Sequence, residues 1–134
     1  MKRDPTASKR TMLGRALRRH CPRCGATAFD SYFHMKEICQ QCGLQFERED
    51  GYWSGALIVN TAVTFASFLV VFVGGTLILW PDVPWGALMV TTIAINIAIP
   101  VLFYPQSKTI WSAMEMSWHP LEPHEIAAAT ARAA

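Results

Sequence analysis

Two stretches without a charge decide what this chain can fold into. Gly55 to Trp80 gives 26 residues and Trp85 to Tyr104 gives 20, with no Asp, Glu, Lys or Arg in either. A membrane-crossing helix needs about 20 apolar residues. Runs of this length leave no polar face for water, which argues against a soluble helical hairpin. The link between them, "PDVP", has four residues, two of them proline. Proline denies a helix its N–H, and so short a link forces the two spans antiparallel. The sequence therefore predicts a membrane α-helical hairpin of two transmembrane helices, over 54–80 and 85–104. Pro100 is expected to bend the second near its end.

Charge sets the direction. Ten of the 12 Lys and Arg and six of the 10 acidic residues lie at or before Asp50, so the first fifty residues carry about +4. The link has no basic residue, and only Lys108 and Arg132 follow the second span. The positive-inside rule then places both termini in the cytoplasm and the link outside. No signal-peptide pattern precedes the apolar runs, which are expected to stay in the lipid bilayer. Tyr52 and Trp53 before the first span, Trp80 and Trp85 at the turn, and Trp111 and Trp118 after the second are candidate interfacial anchors. Within the spans, Asn60 and Asn96 sit roughly 9 to 12 Å from the cytoplasmic end. A hydrogen bond between them is expected to clasp the hairpin, the alternative being a polar contact for a substrate or partner subunit. Gly74 and Gly75 permit close helix approach but are weak evidence for it.

The head carries a second, unrelated pattern. All four cysteines lie there, as Cys21-x-x-Cys24 and Cys39-x-x-Cys42, each pair followed by glycine. Gly25 and Gly43 suit a knuckle turn with positive φ whose amides face thiolate sulfur. Between the pairs, "AFDSYFHMKEI" has the alternation of a short hairpin. Two knuckles on a hairpin make a zinc-ribbon-like β module over 20–50, with Cys21, Cys24, Cys39 and Cys42 as metal ligands. Disulfides conflict with a reducing cytoplasm, and neither a redox nor a haem C-x-x-C context is present. Iron in a rubredoxin-like site competes with zinc, which is favoured. Four thiolates close the shell, so His20 and His34 are not needed and the site reads as structural. With so few apolar residues, the head is expected to draw much of its folding free energy from the metal.

The basic segment over 1–19, which runs on through "SKRTMLGRALRRHCPR" into the first knuckle, interleaves Met12, Leu13, Ala16 and Leu17 with its charges. Topology and contact with anionic lipid are favoured over nucleic acid. Glu47, Glu49 and Asp50 lead into the first span; they read as a solvated linker, with a cation site or acid–base pair as the sharper alternative. Beyond the second span, Ile110, Trp111, Met114 and Trp118 recur at helical spacing. They predict an amphipathic interfacial helix over 107–119, capped by Ser107 and ended by Pro120, with 120–134 as a tail. His119 and His124 read as solvated.

The segments "LRRHCPRCG", "CQQCG", "EDGYWSGALIVN" and "YPQSKTIWSAMEM", in that order around two spans, resemble the small bacterial membrane proteins of the domain of unknown function 983 family. The resemblance covers about residues 13–118. It implies a zinc-ribbon-like head before paired membrane helices, placed in a bacterial inner membrane, with the metal ligands at the four cysteines. No activity is established for the family, and no catalytic residue carries over. Its alphaproteobacterial members tend to be encoded beside subunits and assembly factors of the haem-copper terminal oxidase, an association rather than a mechanism. The expectation is a non-enzymatic accessory protein that helps assemble or stabilise such an oxidase. The alternative is a membrane-bound enzyme or a metal- or redox-handling factor, working through Glu47, Glu49 and Asp50 with His119, or through the thiolates.

Overall fold

The computed structural model describes residues 7–134, so the first six residues of the basic segment lie outside it. Helix α1 spans Lys9–Leu17. The cysteine-rich head follows. Then come α2, Ser54–Ile78, and α3, Trp85–Trp118, both long and apolar enough to cross a membrane. Helix α4, Pro123–Ala133, ends the chain.

Helices α2 and α3 form the antiparallel hairpin that the short link requires, about 37 and 51 Å long at 1.5 Å per residue. Leu57, Ile58, Val70, Ile78, Val90 and Ile97 are each more than half exposed, so the hairpin's outer surface is apolar. The helix α2 carries one π-helical turn, Leu69–Val73, just past Ser67.

The expected Asn60–Asn96 bond is not formed. Asn60 Nδ2 donates to Pro100 O at 3.1 Å, while Asn96 Nδ2 donates to its own helix at Thr92 O and its Oδ1 accepts from Ser67 Oγ at 3.3 Å. The register explains this. Levels on the two helices match where residue numbers sum to about 160, as Asn60 with Pro100 shows. Asn60 and Asn96 fall short of that by about one helical turn. The clasp is thus two bonds on separate rungs.

The expected break before residue 107 is also absent. Helix α3 runs unbroken from Trp85 to Trp118 with both Pro100 and Pro105 inside it. Ser107 does not cap, because its hydroxyl turns back to Tyr104 O at 2.6 Å. Nor does the segment present its inner face to lipid. Ile110 and Ala113 pack against Met12 and Ala16 of α1, and Thr109 Oγ1 donates to the Ala16 carbonyl at 2.7 Å. That bond satisfies one of the carbonyls a helix C-terminus leaves open. A separate interfacial helix over 107–119 is therefore replaced by the last third of α3, covered by α1.

The residues of the expected tail form α4. Glu122 and Glu125 make a capping box around Pro123 at the first helical position, and the alanines that follow favour helix. Helix α4 lies with Ala129 against Gly43 of the head and its other side exposed.

Candidate metal centre

The head has a small core of Cys21, Ala28, Met35, Cys39, Cys42, Leu44 and Phe46. Its β structure is slighter than a ribbon. Among the described residues there is no continuous strand, only three isolated antiparallel bridges: His20–Thr27, Phe29–Met35 and Ile38–Gln45. Two knuckles and a tip leave too few residues between turns for a ladder to extend. The central turn is closed by Asp30 N to His34 O at 3.0 Å and Lys36 N to Ala28 O at 2.9 Å.

The two knuckles repeat the same backbone. Gly25 N donates to Cys21 O and Gly43 N to Cys39 O, both at 2.8 Å. Cys21 N donates to Ala26 O and Cys39 N to Leu44 O, at 2.7 and 2.8 Å. Gly25 and Gly43 have φ of +82° and +66°, the left-handed region that glycine enters freely. The amide of Ala26 points at Cys24 Sγ, 3.5 Å away.

These turns bring the four sulfurs within 4.8 Å of one another. Cys21 and Cys42 sulfurs stand 3.8 Å apart, Cys24 and Cys39 sulfurs 3.5 Å. A tetrahedron of thiolates on a metal at about 2.3 Å has edges of about 3.8 Å. None of these contacts is a disulfide. The four cysteines are placed to bind a metal ion. Without one, the sulfurs compete for protons. Hydrogen bonds, that with Cys21 foremost, hold Cys39 far below the usual thiol range. Hydrogen bonds, that with Cys24 foremost, together with burial push Cys21 far above it. A cation resolves the conflict by taking all four as thiolates.

A divalent ion on four thiolates leaves a net charge of about −2. Three arginines around the knuckles answer that charge. Arg15 donates to Pro22 O and Arg23 O at 3.2 and 2.9 Å, and Arg23 to Cys42 O at 3.3 Å. Arg19 donates to Tyr32 O at 2.8 Å and stacks over Phe29 and Tyr32. These three guanidiniums are committed to the head and are not a free phosphate-binding row.

The head is bolted to the helices by a group the sequence reading passed over. Arg48 stands amid the acidic residues singled out as candidates. Its Nε and Nη2 fork onto Glu125 of α4, each at 2.7 Å, and its Nη1 reaches Glu115 of α3 and the carbonyl of His119 just past its end. Arg48, Glu115 and Glu125 side chains are only 14%, 17% and 23% exposed. Arg48 holds the Glu125 carboxyl below its ordinary value. Glu47, Glu49 and Asp50 themselves are exposed. The only local signal for Arg48 was a lone cation in an acidic run; its partners are 67 and 77 residues away.

The aromatic residues divide. Trp80 and Trp85 stand exposed at the turn, at 70% and 53%. At the other end, Tyr52 meets Trp53 and Trp111 edge-on at 5.2 and 6.3 Å, and Trp111 meets Trp118 at 6.3 Å. Burial pushes the Tyr52 hydroxyl up to about 12. The Lys108 ammonium lies 4.7 Å from the Trp53 ring centre. Trp111 lies so close over Gly55 that an added Cβ would stand 2.1 Å from the indole. These rings seal the head–hairpin junction. Beside them a groove of about 380 Å³ gathers Glu49, Asp50, Trp118 and His119.

No curated protein and no solved structure matches this chain. Residues 29–116 match the family described as "Protein of unknown function (DUF983)", a stretch that holds Cys39, Cys42 and both long helices and begins after Cys21 and Cys24. Since that match takes in 88 of the 134 residues, the chain belongs to this family of unknown function.

Proposed function

We propose that the protein is a non-enzymatic accessory protein of a bacterial inner membrane, with a structural zinc site in a cytoplasmic head. The observation that carries this is the closed set of four clustered, largely buried sulfurs. Four thiolates fill a tetrahedral shell and leave no position for water or substrate, so the metal folds a surface and does no chemistry. Zinc is preferred to iron because it is the usual occupant of paired knuckles. The excess of Lys and Arg before Asp50 supports cytoplasmic termini. The role of Tyr52, Trp53, Trp80, Trp85, Trp111 and Trp118 as interfacial anchors belongs to the same reading. So does the partner, a respiratory oxidase subunit or assembly factor, for which the support is the family's genomic association alone.

The test is co-purification of the tagged full-length protein in mild detergent, at native abundance, beside a Cys39→Ser control. Oxidase subunits or assembly factors that come with the wild type and not with the control support the reading. A metal-loaded protein that comes out alone counts against it.

A second reading has one observation in its favour, the groove that brings Glu49, Asp50 and His119 beside Trp118. It makes the protein an enzyme or metal-handling factor at the membrane surface. Asp50→Asn would then abolish function without lowering abundance. Normal respiration in that variant removes this reading.

A further inference from the structure

The turn between the two cysteine pairs folds back along the hairpin. Tyr32, near its tip, donates its hydroxyl to the carbonyl of Leu102 at 2.7 Å, across 70 residues of chain. The register fixes how deep that is. With Asn60 level with Pro100, Leu102 lies level with residue 58. That is four residues inside the start of α2 at Ser54, about 6 Å along the helix at 1.5 Å per residue. At this level Leu57 and Ile58 are 56% and 68% exposed, the surface a spanning helix shows to lipid.

The head's own surface near Tyr32 is apolar as well. Phe33, 50% exposed, meets the Tyr32 ring edge-on at 4.8 Å. On α1, whose inner face is spent on α3, Leu13 and Leu17 are 43% and 55% exposed. Arg19 joins the two parts, following α1 in the chain and lying 4.4 Å over the Tyr32 ring. Arg10 and Arg18, exposed on and just after α1, make no hydrogen bond or ion pair to another described residue through their side chains. An uncovered set of two leucines, a tyrosine and a phenylalanine is unusual on a small metal-folded module in water.

We propose that the metal head is itself a membrane-inserted module. Its tip at Tyr32 and Phe33 lies in the interfacial layer of the leaflet that α2 and α3 enter, about 5–10 Å into the boundary between headgroups and acyl chains, and the outer face of α1 lies above it among the headgroups. The occupant of this surface is lipid. The tip reaches the level of Leu102, itself more than half exposed on the hairpin. Leu13 and Leu17, on a helix that packs at Ile110 and Ala113, stand shallower, where Arg10 and Arg18 carry the charge that lipid phosphates complement. The tyrosine hydroxyl, which would be costly in hydrocarbon, is satisfied by the Leu102 carbonyl. This inference rests on the reading of α2 and α3 as membrane-spanning.

The test uses the full-length, metal-loaded protein in phosphatidylethanolamine–phosphatidylglycerol bilayers. The lipids carry bromine either high on the acyl chains or near their ends. Phe33→Trp and Leu17→Trp each add one indole, and the fluorescence gained over wild type is read. Val70→Trp, on the exposed side of mid-α2, reports the span. The expected result is at least about twofold quenching of the Phe33→Trp increment by shallow bromine, a smaller loss of the Leu17→Trp increment, weaker quenching of both by deep bromine, and resistance of Phe33→Trp to acrylamide. The Val70→Trp increment falls most with deep bromine. If the head reporters ignore bromine while Val70→Trp responds, the inference is overturned and the spanning reading stands. Acrylamide quenching then says the surface faces water, and shielding from both quenchers says a protein covers it. If Val70→Trp is also unquenched, the spanning reading fails and takes this inference with it. Should one head variant lose its metal, the other decides.

Discussion

At the scale of single residues, Gly43 is held from two sides. Its φ of +66° suits glycine, and a Cβ there would stand 1.9 Å from the carbonyl oxygen of Ala129 in α4. Gly43→Ala should therefore cost about 1–2 kcal/mol in backbone strain and push α4 off the head. Hydrogen exchange over 123–133 checks it: faster exchange with metal retained is expected, and wild-type protection would contradict the contact. Arg48 is the other decisive residue. Arg48→Met leaves two shielded carboxylates without their cation, a loss of about 3 kcal/mol. Glu125 also carries a pH dependence. Its folded pKa is depressed, so its contribution is complete above the ordinary carboxylate value of about 4.3 and is lost as pH falls through the folded value. In acid, wild-type α4 should lose protection over a range where Glu125→Gln, already loosened, changes little. Parallel profiles would remove Glu125 as the cause.

At the scale of elements, what could be read in advance depended on how local the cause was. The paired knuckles were legible because a metal imposes its spacing on neighbouring residues, Cys21 to Gly25 and Cys39 to Gly43. The two long apolar helices were legible because their composition is uncharged over more than five turns each. The unbroken α3 was not. Pro105 and Ser107 are ordinary stop and start signals, and only the cover that α1 gives to Thr109, Ile110 and Ala113 shows why the helix continues. Helix α4 was missed for a related reason. An alanine run has no apolar stripe, and Ala129 docks by being small enough for backbone to approach Gly43. The Asn60–Asn96 pairing failed by about one turn, because depth counted from span ends ignores register. Two variants test these contacts. Gly55→Ala forces the indole of Trp111 away from α2, so a shift in tryptophan emission and loosened α2–α3 protection near 55 and 111 are expected; unchanged emission would contradict the packing. Asn60→Leu forfeits one bond to Pro100 O, worth about 0.6 kcal/mol in a membrane, while its Oδ1 already lacks a partner among the described residues. Unfolding of the hairpin in mixed detergent should move little; a large loss would mean that Asn60 does more than clasp.

At the scale of the whole molecule, three ties make head and hairpin one body. Helix α1 crosses α3 at Ile110 and Ala113. Arg48 joins the head to α3 and α4. The rings of Tyr52, Trp53 and Trp111 close the junction. A metal bound in the head is thereby coupled to surfaces at the membrane. Without it, the head's core of seven buried residues, three of them ligands, has too little apolar burial to persist. Chelation should open α4 along with the head, since the knuckle that α4 docks on is itself metal-ordered. The long helices pack on each other away from the cysteines, and should remain.

The most direct measurement is the metal content of the purified full-length protein, by elemental mass spectrometry, with hydrogen exchange on the same samples and on Cys39→Ser. One zinc per chain is predicted in the wild type. In Cys39→Ser the account predicts loss of that zinc together with amide protection across 20–50 and 123–133, while 54–78 and 85–101 stay protected. A metal-free wild type with the head fully protected would contradict it.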